Sequence, residues 1–154
     1  MSTMQSGLAR KNLEKRLAPL RAERVATPSR GWVKAIREAL GMTTRQLAKR
    51  MGAAPSRVSA IEKAEVTGAV TLRTLRETAA AMDCVLVYAF VPRKPLDGIL
   101  RDQAERKVAG ELSRLDHTMR LENQALTTSD LADERQRLVD ALVSGSLRGL
   151  WDDE

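Results

Sequence analysis

Between Thr43 and Glu62 the chain sets two short apolar-periodic stretches on either side of a single glycine. Leu47, Ala48 and Met51 fall on one side of the first stretch, and Val58 and Ile61 fall on one side of the second. Apolar residues three and four apart form one face of a helix. Gly52, just past the last periodic residue of the first stretch, marks a helix end, and Pro55 suits the first turn of the next helix. A tight turn is all that remains between them. Ala48 is small enough for the two helices to cross closely, and the apolar positions then hold them at a fixed angle. This constraint dominates everything else the chain can fold into.

The flanking residues extend the pattern. Thr27-Pro28-Ser29 reads as a helix start, with Thr27 as cap and Pro28 in the first turn. Trp32, Ile36, Ala39 and Leu40 mark one face of the helix that follows, and Gly41 ends it. A fourth helix after Thr71 carries Leu72, Leu75, Ala79 and Met82. Four short helices with short connections are the layout of a helix-turn-helix domain. The wider composition agrees. Aromatics are 3% of the 154 residues, too few for a sandwich or a stacking-based RNA reader, while 43% hydrophobic residues suffice for a core.

Charge is distributed unevenly. Residues 1–95 hold 18 Lys and Arg against 7 Asp and Glu, a balance of +11, and the remaining residues balance at −5. A polyanion is the expected partner of the front half. One cysteine, Cys84, excludes an internal disulfide and a cysteine-rich metal site. One histidine, His117, excludes the common Ser/His and multi-histidine constellations. No run of apolar residues is long enough for a membrane span, and no signal peptide opens the chain. The expectation is a cytoplasmic, mostly helical protein that is not an enzyme and needs no cofactor or metal.

Outside the four helices the reading is coarser. Leu8 to Arg24 is basic, with Leu13, Leu17 and Leu20 at helical spacing and Pro19 set to break or kink it. Val85 to Val91 is β-branched and aromatic, and Pro92 closes it, as for a buried strand. Its only internal mate, Val66 to Val70, is interrupted by Gly68, so a second copy of the chain is the expected partner. Leu96 to Leu126 reads as helix, with Gly110 as a soft spot. Thr127 to Asp130 caps a last helix that Gly145 ends, and Trp151 reads as a local packing anchor. The expected parts are a basic helical arm (1–29), the helix-turn-helix domain (30–84), a dimerising β-strand (85–95) and a C-terminal helical region (96–154). The fold class is therefore mainly α, with one β-strand paired across a dimer.

The segment Thr43-Thr44-Arg45-Gln46-Leu47-Ala48-Lys49-Arg50-Met51-Gly52, followed by Pro55-Ser56-Arg57-Val58-Ser59-Ala60-Ile61-Glu62, resembles the helix-turn-helix of the phage repressor, or XRE, family. In that arrangement the second helix enters the major groove of double-stranded DNA. Pro55, Ser56, Arg57, Ser59 and Ala60 are the exposed positions of that helix. Arg57 can reach a guanine edge with two hydrogen bonds, worth roughly 1–3 kcal/mol of discrimination. Thr44, Arg45 and Lys49 are expected on the phosphate backbone. Ala54 leaves the second helix without a side-chain cap. Glu62 and Glu65 are expected to make contacts within the fold.

A second motif lies at Thr118-Met119-Arg120-Leu121-Glu122-Asn123. It resembles the inhibitory motif, Ser/Thr then three residues then Glu and Gly/Asn, of antitoxins that silence Fic-domain adenylyltransferases. Leu115, Thr118, Met119, Glu122 and Leu126 share a helix face. Residues 8–151 resemble the family called mobile mystery protein A, whose members are encoded beside a Fic-domain protein. The resemblance implies a Fic-domain toxin as partner, with Thr118, Glu122 and Asn123 as the inhibitory residues. It likewise puts Leu115, Met119 and Leu126 on the partner contact. The alternative is a stand-alone repressor whose C-terminal region only dimerises or meets another regulator. His117 lies off the shared face and reads as solvated.

Overall fold

The computed structural model describes residues 3–23, 25–121 and 127–152. It divides the chain into two compact units, Arg24–Phe90 and Met1–Glu23 with Val91–Glu154. In chain order the helices are α1 (Thr3–Ala22), α2 (Trp32–Ala39), α3 (Thr44–Met51), α4 (Pro55–Thr67), α5 (Leu72–Ala81), α6 (Leu96–Leu121) and α7 (Thr128–Ser144). A short 3-10 turn, Arg148–Leu150, follows them.

The first unit is built around Val33, Leu47, Ala48, Val58, Ile61 and Met82, with Ile36, Met51 and Leu75 packed against them. Local chemistry fixes the ends of its helices. The Thr43 hydroxyl accepts from the Gln46 N–H at 3.2 Å, and Gln46 Oε1 accepts from the Thr43 N–H at 2.8 Å. This capping box satisfies two backbone donors at the start of α3. Thr71 caps α5 through the Thr74 N–H. Gly52, at φ 65°, ends α3, and the Ala53 N–H returns to the Ala48 carbonyl at 2.9 Å. At the end of α5 the left-handed position is filled by Asp83, at φ 57°, one of the few residue types that tolerate it. Thr78, wholly buried in α5, donates its hydroxyl to the Thr74 carbonyl at 2.8 Å.

Helix α2 starts later than its sequence suggests. Pro28 to Gly31 form a turn, closed by the Gly31 N–H on the Pro28 carbonyl at 2.9 Å. The reason is the cap. Glu65 of α4 accepts from the N–H groups of Trp32 and Val33 at 2.7 and 2.9 Å, so the helix begins where its free donors meet that carboxylate.

The expected strand is not formed. Among the described residues there is no strand, and Val85–Val91 makes no ladder. A strand requires a neighbour to take its alternate N–H and C=O groups, and the described residues of one copy offer none. The segment's side chains stand open instead: Val87 is 84% and Phe90 89% exposed.

The second unit has its own core. Leu100, Ala104 and Val108 lie four residues apart on α6 and bury themselves with Val139 of α7 and with Leu150. Gly110 does not interrupt α6. Thr127 and Asp130 form the cap of α7, and Gly145 follows its last residue. The tail is anchored by Leu150, 1% exposed, rather than by Trp151, because Gln103 Nε2 donates to the Leu150 carbonyl at 3.1 Å and fixes that residue inward.

Helix α1 belongs to this unit and is not a separate arm. Its Glu14 accepts from the Leu96 N–H at 3.0 Å and from Arg21 at 2.7 Å, and its Arg10 pairs with Asp97. The Leu96 N–H and then the Arg21 guanidinium hold the Glu14 carboxyl below its ordinary value. Pro19 does not stop the helix. It sits in the last turn, and the helix runs on to Ala22 with the Glu23 N–H bonded to the Pro19 carbonyl.

Candidate nucleic-acid interface

The interface is assembled from α3 and α4. Leu47 and Ala48 of α3 and Val58 of α4 are buried completely or nearly so, and Ile61 is 5% exposed. Burying such side chains contributes roughly 1.5–3 kcal/mol each for the larger ones, so the crossing of the two helices is rigidly held. With Val58, Ile61, Glu62 and Glu65 turned inward, α4 has one outward face left.

That face carries Ser56, Arg57, Ser59 and Ala60, all exposed, behind an exposed Pro55. Arg45 and Lys49 of α3 are exposed as well, and Thr44 is half-buried at the first turn of α3. All eight residues expected at a DNA surface therefore lie on two helices locked to each other. Among the described residues, Arg45, Lys49 and Arg57 meet no carboxylate. Their charge is thus available to an external anion. Gln46 is exposed but committed to the capping box, and Arg50 reaches the Ala81 carbonyl at 2.5 Å, so both serve the fold. Ala54 makes no side-chain cap, as its methyl group requires.

Behind the face, two glutamates fasten α4 to α2. Glu62 pairs with Arg37, with Nε to Oε1 at 2.6 Å, and both side chains are about 10% exposed. Arg37 also donates to the Met42 carbonyl at 2.8 Å. The hydrogen bond that Arg37 donates to Glu62 raises the guanidinium's pKa above its ordinary value, against the opposing effect of burial. Glu65 caps α2 as described. Neither glutamate is free to face DNA.

Residues 33–86 match the helix-turn-helix family. They form an XRE-family helix-turn-helix domain. No curated protein and no solved structure gives a significant match to the chain. The family match ends at residue 86, so it does not reach the segment that resembles Fic inhibitors. No helix among the described residues is long and apolar enough to cross a membrane.

Sequence reasoning missed one residue of the helix-turn-helix face. Lys63 is exposed and follows Ser56 by seven residues, on the same side of α4 as Ser59 and Ala60. The helical period alone is enough to find it. The second expected site lies on α6. Leu115 and Thr118 are exposed there and Met119 is half-buried, all beyond the Leu100–Val108 core stripe. The Thr118 hydroxyl donates to the Arg114 carbonyl of its own helix at 3.1 Å. His117 is exposed. Glu122, Asn123 and Leu126 lie outside the described residues.

Proposed function

We propose that the chain is a dimeric, sequence-specific DNA-binding autorepressor that also inhibits a Fic-domain enzyme and catalyses nothing itself. The observation that supports DNA binding is the outward face of α4, with Arg57 uncompensated and mounted on a buried crossing with α3. Arg57 reads base edges, while Arg45, Lys49 and the first turn of α3 fix register on the phosphates. Two copies pair through the exposed segment Val85–Val91, each supplying the ladder partner the other lacks. Recognition helices then lie about one DNA turn, roughly 34 Å, apart.

Selection from a random duplex pool tests both halves of this reading. The wild-type chain should return an inverted repeat. Arg57→Ala should blur one position of each half-site, whereas Lys49→Ala should weaken binding evenly across sequences. An unrepeated site would remove the dimer, and equal blurring by both variants would remove the assigned placement of α4.

The Fic reading rests on the resemblance at Thr118–Asn123. A Fic enzyme seats the γ-phosphate of ATP against an arginine, so that the α-phosphate faces the attacking hydroxyl. Glu122 takes the place of that phosphate, Thr118 orients it, and Asn123 secures the helix end. Phosphoryl-type transfer depends on positioning, so misplacing the triphosphate suffices to stop it. Leu115, Met119 and Leu126 hold the partner through apolar burial. The exposed Leu115, outside the core stripe of α6, supports this part. Glu122→Gly should co-purify with the Fic partner yet permit AMP transfer, and Leu115→Asp should lose the complex. If the Glu122→Gly complex stays silent at saturating ATP, the stand-alone repressor replaces this reading.

A further inference from the structure

The outward face of α4 does not end at Ala60. One turn on, Lys63 extends it, and beside Ser59 and Lys63 lies a groove of about 580 Å³ whose opposite wall is the start of α2. Ser29, Arg30 and Lys34 form that wall. Three cations and the hydroxyl groups of Ser29 and Ser59 thus line one concave strip beside the outward face of the recognition helix, with Val66 and Thr67, whose hydroxyl is held by the Ala64 carbonyl, completing the lining.

The carboxylates nearby do not cancel this charge. Glu62 lines the groove but is neutralised by Arg37 at 2.6 Å. Glu38, itself exposed, lies 3.8 Å from the exposed Arg30 and 4.0 Å from the half-buried Lys34, long contacts that a stronger anion can displace. Lys63 meets no carboxylate among the described residues. Two lysine ammonium groups and one arginine fork, with hydroxyl donors beside them, suit a phosphate oxyanion, and phosphate contacts carry no code for base edges.

We propose that this groove seats a backbone phosphate of the bound duplex, so that the start of α2 is part of the DNA interface. The proposal rests on the DNA-binding reading of α4 and extends its footprint. The positions of Arg30 and Lys34 are set by the same contact that starts α2. Arg30 directly precedes Gly31, and the Glu65 carboxylate binds the next two N–H groups, holding this wall against α4. Gly31 and Glu65 are therefore positioning residues for the phosphate site.

The test is the salt dependence of binding by the full chain to a random-sequence duplex and to the duplex selected as operator. Each phosphate contact adds about 0.9 to the slope of log affinity against log salt. The triple variant Arg30→Ala, Lys34→Ala, Lys63→Ala should make the slope shallower by about 0.9, the share of one phosphate, and Lys63→Ala alone by a part of that. The selected sequence should not change in either case, since these contacts carry no base information. Lys63→Arg, which keeps the charge, should restore the wild-type slope. If the wild-type chain binds and the triple variant keeps its slope, the groove holds no phosphate and the proposal falls while the α4 reading stands. If the wild-type chain binds neither duplex, both fall together.

Discussion

Glu62→Ala should destabilise the helix-turn-helix unit by about 3–5 kcal/mol, because it removes the close counter-ion of the buried Arg37 guanidinium and leaves only the exposed Glu38 at 3.8 Å. Arg37 is 8% exposed and cannot turn to solvent without leaving the Met42 carbonyl that it also serves. The two charges were taken out of water together, and removing one leaves the full desolvation cost of the other. Arg37→Met should be severe as well, since it leaves both Glu62 and the Met42 carbonyl unsatisfied. The double variant Arg37→Met, Glu62→Leu should recover most of the loss, because an apolar pair of similar volume carries no buried charge. Urea unfolding of the full chain measures this. Trp32 lies in this unit and Trp151 in the other, so a Trp151→Phe background makes fluorescence report the helix-turn-helix unit alone. A Glu62→Ala midpoint equal to wild type would mean that the ion pair holds nothing together.

Much of this unit was legible in the sequence because its determinants are local. Thr43 with Gln46, Gly52, Pro55 and Thr71 each act within four residues, and they place α3, α4 and α5 closely. The outward positions of α4 follow from helical period once Val58 and Ile61 are taken as buried. What escaped was non-local. Arg37 reads as a solvated charge until Glu62, twenty-five residues away, is brought against it. The start of α2 is set by Glu65, not by the Thr27–Ser29 segment that carries the usual signature. Thr78 is polar in sequence and buried in fact, because its hydroxyl closes on its own helix. In the second unit, residues 1–29 read as a basic helical arm because nothing in them announces that Glu14 will cap α6 or that Arg10 will meet Asp97. The apolar run Val85–Val91 has the composition of a strand, but composition cannot supply the neighbour that a ladder needs.

Gly31→Ala should cost about 3 kcal/mol or more, a large penalty for one methyl group, and the cost should depend on Glu65. Gly31 sits at φ 82° and ψ 160°, a region essentially restricted to glycine, where a side chain costs of order 1–3 kcal/mol. A Cβ there would also lie 2.6 Å from Glu65 Oε2 and 2.9 Å from its Cδ. The carboxylate is the end of a flexible side chain and can swing away from the clash. Swinging away, however, surrenders the cap on both N–H groups at the start of α2, which costs about 0.5–2 kcal/mol. Glu65→Ala removes the cap without straining the backbone, and should cost about 0.5–2 kcal/mol, the range for a lost N-terminal cap. In the double variant the cap is already gone and the clash with it, so only the strain at φ 82° is added. The two changes should therefore total less than the sum of the singles, with a coupling of about 1 kcal/mol, as for residues in direct contact. Strict additivity would show that the two residues act independently and that α2 starts where it does for another reason. A Gly31→Ala midpoint equal to wild type would show that the turn before α2 relaxes freely, and with it the wall that carries Arg30.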